Sequence, residues 1–397
     1  MLESRDGVGT RRGRHLYAAG EYEDAIPVLL EGAWQCYQSA KNALAWDLVE
    51  LREQAMSDLG VRETDLCWAE GWMLKERIIA RRKEFPAVMK IIEKVLDKTE
   101  STPGARRIRA NAWARKGAVH RLMSEPDMAR ICLNKAMQSG ADDPAIMSNA
   151  MEQLGTLELM YGNPMLSARF FEGALDSARE TGDLDKEFQV RQNMAAVYRR
   201  QGDLETARGH LQASLKHYRS TGSKRLQSRS LNDLAELDRF TGDLERAEEG
   251  YRRALGLLEA LGDQRFYVAA LNLGLIYAET GRPVEARAQL EQCLIALKMS
   301  RLPGIEAATK LALAHVHAQL NSITAWRSCF DAGRGIIDET GFADIDIARS
   351  AQMGGEILLS GGFDEEARES LTFARDHWEQ LERGDDAAVL TDLLEEL

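Results

Sequence analysis

The sequence predicts an all-α fold, a solenoid of antiparallel helix pairs, on three observations. One phrase recurs: Gly202-Asp203-Leu204-Glu205-Thr206-Ala207 returns as Gly242-Asp243-Leu244-Glu245-Arg246-Ala247, and again, altered, as Gly281-Arg282-Pro283-Val284-Glu285-Ala286. A second phrase precedes each, at 193–198, 233–238 and 272–277, and the turn glycines are 40 and 39 residues apart. A fixed period of 20–50 residues marks stacked supersecondary units, none of which can bury its apolar face alone. Finally, only 8 prolines and 7% aromatics among 397 residues suit helices better than strands.

Taken in order, residues 1–14 read as a disordered leader. Gly7, Gly9 and Gly13 there invite a dinucleotide-loop reading, but the spacing is wrong and no strand precedes them. Residues 15–142 read as irregular N-terminal helical repeats, with helices near 43–59, 64–82, 84–98, 105–123 and 126–139. A regular array is expected over 143–382, in pairs beginning 143–160 with 164–180 and ending 343–360 with 363–382. The tail, 383–397, reads as a capping helix. Asp203 and Asp243 follow the turn glycines, where a carboxylate can accept from the free N–H groups of the next helix.

Composition narrows the function classes. A net charge of -12 argues against a general nucleic-acid binder. Five scattered cysteines contain no C-x-x-C pair, so neither a disulfide framework nor a zinc site is expected. No apolar run is long enough to span a bilayer, and the chain reads as soluble and cytoplasmic. His315 and His317 face different ways on a helix, and His210 with His217 lacks a completing ligand, so no metal is expected. No phosphate loop, H-E-x-x-H or G-x-S-x-G occurs, and neither catalysis nor a cofactor is expected.

Close helix approach needs small side chains. Gly155, Ala195, Ala235, Gly274, Ala314 and Gly354 supply them in the first helices, with Leu154, Met194, Leu234, Leu273 and Leu313 filling the space beside. Ala168, Ala207, Ala247, Ala286, Ala325 and Ala367 supply them in the second helices. Small residue, aromatic or leucine, Gly-Asp, then alanine resembles the tetratricopeptide repeat, in a variant longer than the standard 34-residue form. This long-period form is similar to the repeats of kinesin light chains, spindle-orientation adaptors, bacterial Rap-type phosphatases and the sensor arms of signal-transduction ATPases. The resemblance implies a right-handed α-α superhelix whose first helices line a concave groove for a peptide or partner helix.

On that groove one position recurs as Gln153, Asn193, Asp233, Asn272 and, in a less certain register, Gln352, with Gln189 and Arg229 one turn earlier. A ladder of amides can hydrogen-bond an extended peptide backbone, or equally tie neighbouring repeats together. Between Lys75 and Arg121 lie fourteen basic residues against five acidic ones. Arg77, Arg81, Arg82, Lys83, Arg106, Arg107 and Arg109 are its candidate docking patch for an acidic partner, against the alternative of solvated helix faces. Residues 331–397 hold eighteen acidic residues against five basic, so a second copy is one such partner. Five of seven tryptophans precede residue 120, as core of irregular helices or as an interaction surface.

The function expected is non-enzymatic capture of a peptide or protein in the groove, by a scaffold or adaptor. One alternative is the sensor arm of a bacterial signalling kinase or ATPase, resting on Leu16 to Ala33; another is a Rap-like regulator. No helix-turn-helix is expected before residue 15, which disfavours direct control of DNA.

Overall fold

The computed structural model describes residues 8–397 apart from 40, 81–83, 124, 162, 262–265 and 298–301. Among the described residues there are twenty helices and no strand. They divide into two compact units, the first ending at Asp203 and the second beginning at Leu204.

The first unit holds α1 (Val8–Ala18), α2 (Tyr22–Gln38), α3 (Asn42–Asp58), α4 (Leu66–Ala80) and α5 (Phe85–Lys98). It continues with α6 (Arg106–Leu122), α7 (Pro126–Ser139), α8 (Pro144–Met160), α9 (Pro164–Thr181) and α10 (Leu184–Arg200). Here α2 packs on both α1 and α3, and α4–α5, α6–α7 and α8–α9 pair as neighbours. The second unit runs through α11 (Leu204–Ser220), α12 (Lys224–Phe240), α13 (Leu244–Ala260), α14 (Tyr267–Glu279) and α15 (Pro283–Leu297). It closes with α16 (Pro303–Gln319), α17 (Ile323–Thr340), α18 (Ile345–Ser360), α19 (Asp364–Gln380) and α20 (Gly384–Glu396). First helices also touch one another, as α6 does α8 and α8 does α10 in the first unit and α14–α16–α18 do in the second. The first helices therefore form a layer of their own.

That layering shows in burial. Eleven consecutive or near-consecutive residues of α14, from Tyr267 to Ala278, are buried, whereas its partner α15 buries only Ala286, Leu290, Cys293 and Leu297. A helix covered on several sides loses the usual apolar stripe, which is why α14 reads as hydrophobic all round.

The pairs cross where a small residue meets a large apolar one sixteen positions later. A Cβ on Gly117 would lie 2.6 Å from Leu133; on Gly155, 2.9 Å from Phe171; on Gly274, 2.7 Å from Leu290; and on Gly355, 2.7 Å from Leu371. The same relation joins Gly13 to Leu29 at 2.9 Å. This corrects the expected disordered leader over 1–14: α1 is helical from Val8 because Gly13 lets it close on α2, while residues 1–7 lie outside the described residues.

Three positions in the small-residue series also shift by one. The contact at α18 belongs to Gly355, not Gly354, whose Cβ would meet nothing nearer than 3.4 Å. In α9 the fully buried residue is Ser167 rather than Ala168, and its hydroxyl donates to the Gly155 carbonyl at 2.7 Å. In α17 it is Trp326 rather than Ala325, stacked on Phe330 with centroids 5.0 Å apart. A serine stays small enough for the crossing and hides its own hydroxyl. At α17 the closest approach moves to Gly333, 2.8 Å from Leu311, which makes room for the indole.

The aspartate cap holds at Asp243, which accepts from the Arg246 N–H at 3.2 Å. Carboxylates also cap first helices, at Asp143, Asp183 and Asp344. Turn glycines Gly202, Gly242 and Gly281 have φ of 82°, 82° and 71°, a left-handed conformation that disfavours any side chain.

Glycines in these helices should therefore respond with opposite signs. Gly274→Val overpacks the α14–α15 crossing and should cost about 1–3 kcal/mol in denaturant unfolding. Gly256→Ala, in α13 with open space around it, should instead gain about 0.5–1 kcal/mol from helix propensity.

Candidate functional site

In the first unit, the first-helix layer carries a polar network centred on Glu152. Glu152 is only 2% exposed, on α8. From α10, Gln189 Nε2 donates to Glu152 Oε1 at 2.9 Å and Asn193 Nδ2 donates to the same oxygen at 2.6 Å. Lys186 Nζ donates to Glu152 Oε2 and, at 2.6 Å, to Asn149 Oδ1. From α6, Arg121 donates to Gln153 Oε1 at 3.2 Å, with burial holding its guanidinium below the ordinary value and Glu152 opposing that shift. Gln189 and Asn193 are thus brought together on Glu152, while Gln153 bonds to Arg121 of the preceding repeat. Glu152, their hub, escaped the sequence reading. Its signal was an acid one position from the amide ladder.

In the second unit the candidates are less alike. Asn272 is 8% exposed and donates to Asn232 Oδ1 at 3.1 Å, so it lies inside the layer rather than on its face. Asp233 stands 4.0 Å from the exposed Arg229 one turn earlier on α12. Gln352 accepts from the Trp378 indole at 3.0 Å and donates to Glu356 at 3.0 Å. The dominant feature here is Arg239, also missed from sequence. Its buried guanidinium bonds Glu279 on α14, with Nη2 at 2.5 Å, and Asp346 on α18 at 2.8 Å. Burial alone would lower its pKa, but Asp346 and Glu279 hold it well above the ordinary value. Near it, burial first and the Asp346 charge second push the Asp344 carboxyl up to about 6.

The basic stretch is largely spent within its own unit. Arg106 pairs with Asp142 at 2.6 Å and Arg107 with Asp143 at 3.0 Å. Arg109 donates to the carbonyl of Leu96, and Arg77 lies over the Trp34 ring at 5.5 Å. Arg115 grips the fully buried Glu76 at 2.7 Å. Arg81, Arg82 and Lys83 lie outside the described residues. Tryptophans divide the same way: Trp68 and Trp72 are core, whereas Trp34, Trp46 and Trp113 are half-buried under Arg77, Lys75 and Lys135.

Among the described residues, no three His, Cys, Asp or Glu side chains converge on a point that could hold a metal ion. No described helix is long and apolar enough to cross a membrane. Burial raises the Cys67 and Cys293 thiols to about 11, which keeps both protonated at neutral pH.

The tetratricopeptide repeat family matches at residues 146–220, 187–260 and 227–299. Residues 146–299 are tetratricopeptide repeats. No curated protein matches the sequence. Among solved structures, a Rap protein complexed with competence and sporulation factor is similar over 94% of this chain and 97% of its own. The identity is 14% and the TM-score 0.63. The apo quorum sensor NprR from B. thuringiensis is similar over 94% and 99%, at 12% identity and TM-score 0.52. The Cut9–Hcn1 hetero-tetramer of APC/C is similar over 98% and 76%, at 15% identity and TM-score 0.55. These likenesses extend the repeat fold beyond the matched residues, to both units.

Two expectations test the networks. Glu152→Ala strands a mostly buried Lys186 and should cost about 3–5 kcal/mol in unfolding, whereas Glu152→Met with Lys186→Met should recover most of that loss. For Asp344, the folded pKa lies above the unfolded value of about 3.9, so its ionisation destabilises the fold. That cost is absent below about pH 4 and complete above about pH 6. Asp344→Asn keeps a capping acceptor, and its stability relative to the unsubstituted protein should rise by about 1–3 kcal/mol across that window. A pH-independent difference between the two unfolding curves would contradict this.

Proposed function

We propose that the chain is a non-enzymatic scaffold or adaptor that binds a peptide or an extended protein segment along its first helices, in the cytoplasm. The observation carrying this reading is the Glu152 network, where amides and charges from α6, α8 and α10 meet on one layer at one-repeat intervals. Gln153 and Gln189 offer a peptide both donor and acceptor chemistry, because a carboxamide has two of each. A peptide backbone placed there would meet both kinds. Arg229 and Asp233 offer a second, separate contact in the other unit; Asn272 would act by fixing Asn232 rather than by touching the partner. Arg106 and Arg107 would join only a partner acidic enough to displace Asp142 and Asp143.

A second reading, a peptide-responsive regulator, is favoured by one observation. Nearly the full length of the Rap protein and of the quorum sensor NprR is similar to this chain, and the Rap structure holds a competence and sporulation factor. The two readings share a bound peptide and differ in what binding controls.

Selection of peptides from a random display library, followed by calorimetric titration, tests the shared step. Selected peptides should bind Gln189→Ala/Asn193→Ala or Arg229→Ala/Asp233→Ala at least about tenfold more weakly, the loss expected for one or two hydrogen bonds left unmade. Arg106→Ala/Arg107→Ala should bind them normally. Peptides insensitive to both first-helix pairs would remove the groove from the proposal.

A further inference from the structure

The second unit carries a cleft of about 600 Å3, with walls from α11 and α13 and a floor from α12. Leu215, Leu231, Leu234 and Ala235 make its floor apolar. Its rim is cationic, with Arg208, Lys216, Arg219, Arg246 and Arg253 against only Asp238 and Glu249. Three of these cations are engaged: Arg208 with Asp238 at 2.7 Å, Arg246 with Asp243 at 3.3 Å and Arg253 with Glu249 at 3.4 Å. Lys216 and Arg219, one turn apart on α11 and both exposed, have no carboxylate within ion-pair distance among the described residues. In a chain of net charge -12, a surplus of positive charge around an apolar floor is the exception.

The same unit also bears the complement. Helix α20 contains five acidic residues and no Lys or Arg. Its inner face, with Ala387 and Leu390 buried, caps the array. Its outer face presents Asp385, Val389, Asp392 and Glu396, spaced by four, three and four residues, so they form one stripe. Val389 is 62% exposed in the middle of that stripe. From Asp385 to Glu396 is as many residues as from Arg208 to Arg219, and each stretch is about 16 Å long at the helical rise of 1.5 Å per residue. Length, charge sign and the central apolar residue all match the cleft.

We infer that the cleft between α11 and α13 receives the outer stripe of α20 from a second copy of this chain. Asp392 and Glu396 face Lys216 and Arg219, and Val389 covers the Leu234–Ala235 floor. Because every copy has one cleft and one stripe, two copies can exchange them reciprocally and close a twofold dimer, leaving no open end to propagate. The contact is small and charge-led, so the dimer forms in the micromolar range rather than as an obligate pair. It does not depend on the peptide groove of the first helices.

Charge reversal tests this with the full chain, by sedimentation velocity and light scattering. The unsubstituted protein should dimerise in the micromolar range. Lys216→Glu/Arg219→Glu and Asp392→Lys/Glu396→Lys should each weaken the dimer at least about tenfold, since each sets like charges against each other. Mixing the two variants should restore a dimer, because both of its contacts are then complementary. Circular dichroism checks that the variants remain helical, and recovery on mixing shows independently that they are folded. A monomer throughout for the unsubstituted protein, a dimer indifferent to both reversals, or no recovery on mixing would each overturn the inference. Binding of an acidic peptide or of nucleic acid to a monomer would assign the cleft to another occupant and would overturn it too.

Discussion

The close crossing of each helix pair is the contact on which everything else in this protein depends. A glycine on one helix lets the leucine or phenylalanine sixteen residues later reach its backbone. Burying those large side chains is worth roughly 1.5–3 kcal/mol each, and the contact is available only at short interhelical distance. Fixing that distance also fixes which faces remain. First helices stack on first helices, and their polar residues meet at one-repeat intervals.

Each unit buries several charges, and the best-connected of them has the opposite sign in the two units. In the first it is the Glu152 carboxylate, satisfied by an ammonium and two amides. In the second it is the Arg239 guanidinium, satisfied by two carboxylates from later repeats. A hydrophobic stripe tolerates sliding, because one leucine resembles another. A buried charge does not, since a slip by one turn leaves it without partners at a cost of several kcal/mol. These hubs therefore define register where the apolar contacts leave it degenerate.

Much of the helical order was legible because the turn glycines and small residues recur at nearly constant spacing, as at α8 and α9, which begin at Pro144 and Pro164 against 143 and 164. What was illegible has physical reasons. Gly13 looked like part of a flexible leader because its partner, Leu29, lies across a turn, and only the sixteen-residue relation found elsewhere would have revealed it. Ser167 and Trp326 stood one position from alanines that fitted the expected pattern better. The amide ladder was visible as residue types, but its hydrogen bonds were not, because Glu152 lies on a different helix from the amides that hold it. Arg239 was hidden for a stronger reason: no local pattern connects it to Asp346.

That separation bears on how the chain folds. Crossings join residues sixteen apart, and inter-repeat ties such as Asn232–Asn272 join residues forty apart, so most contacts form early and without long loop closure. The bond from Arg239 to Asp346 bridges more than a hundred residues and has to wait until α14, α16 and α18 have stacked in the right order. Until then the guanidinium stays hydrated and α12 pays nothing for it; afterwards the same group is sealed away from water. The full set of Arg239 partners thus exists only in an array where α14 and α18 both stand in place.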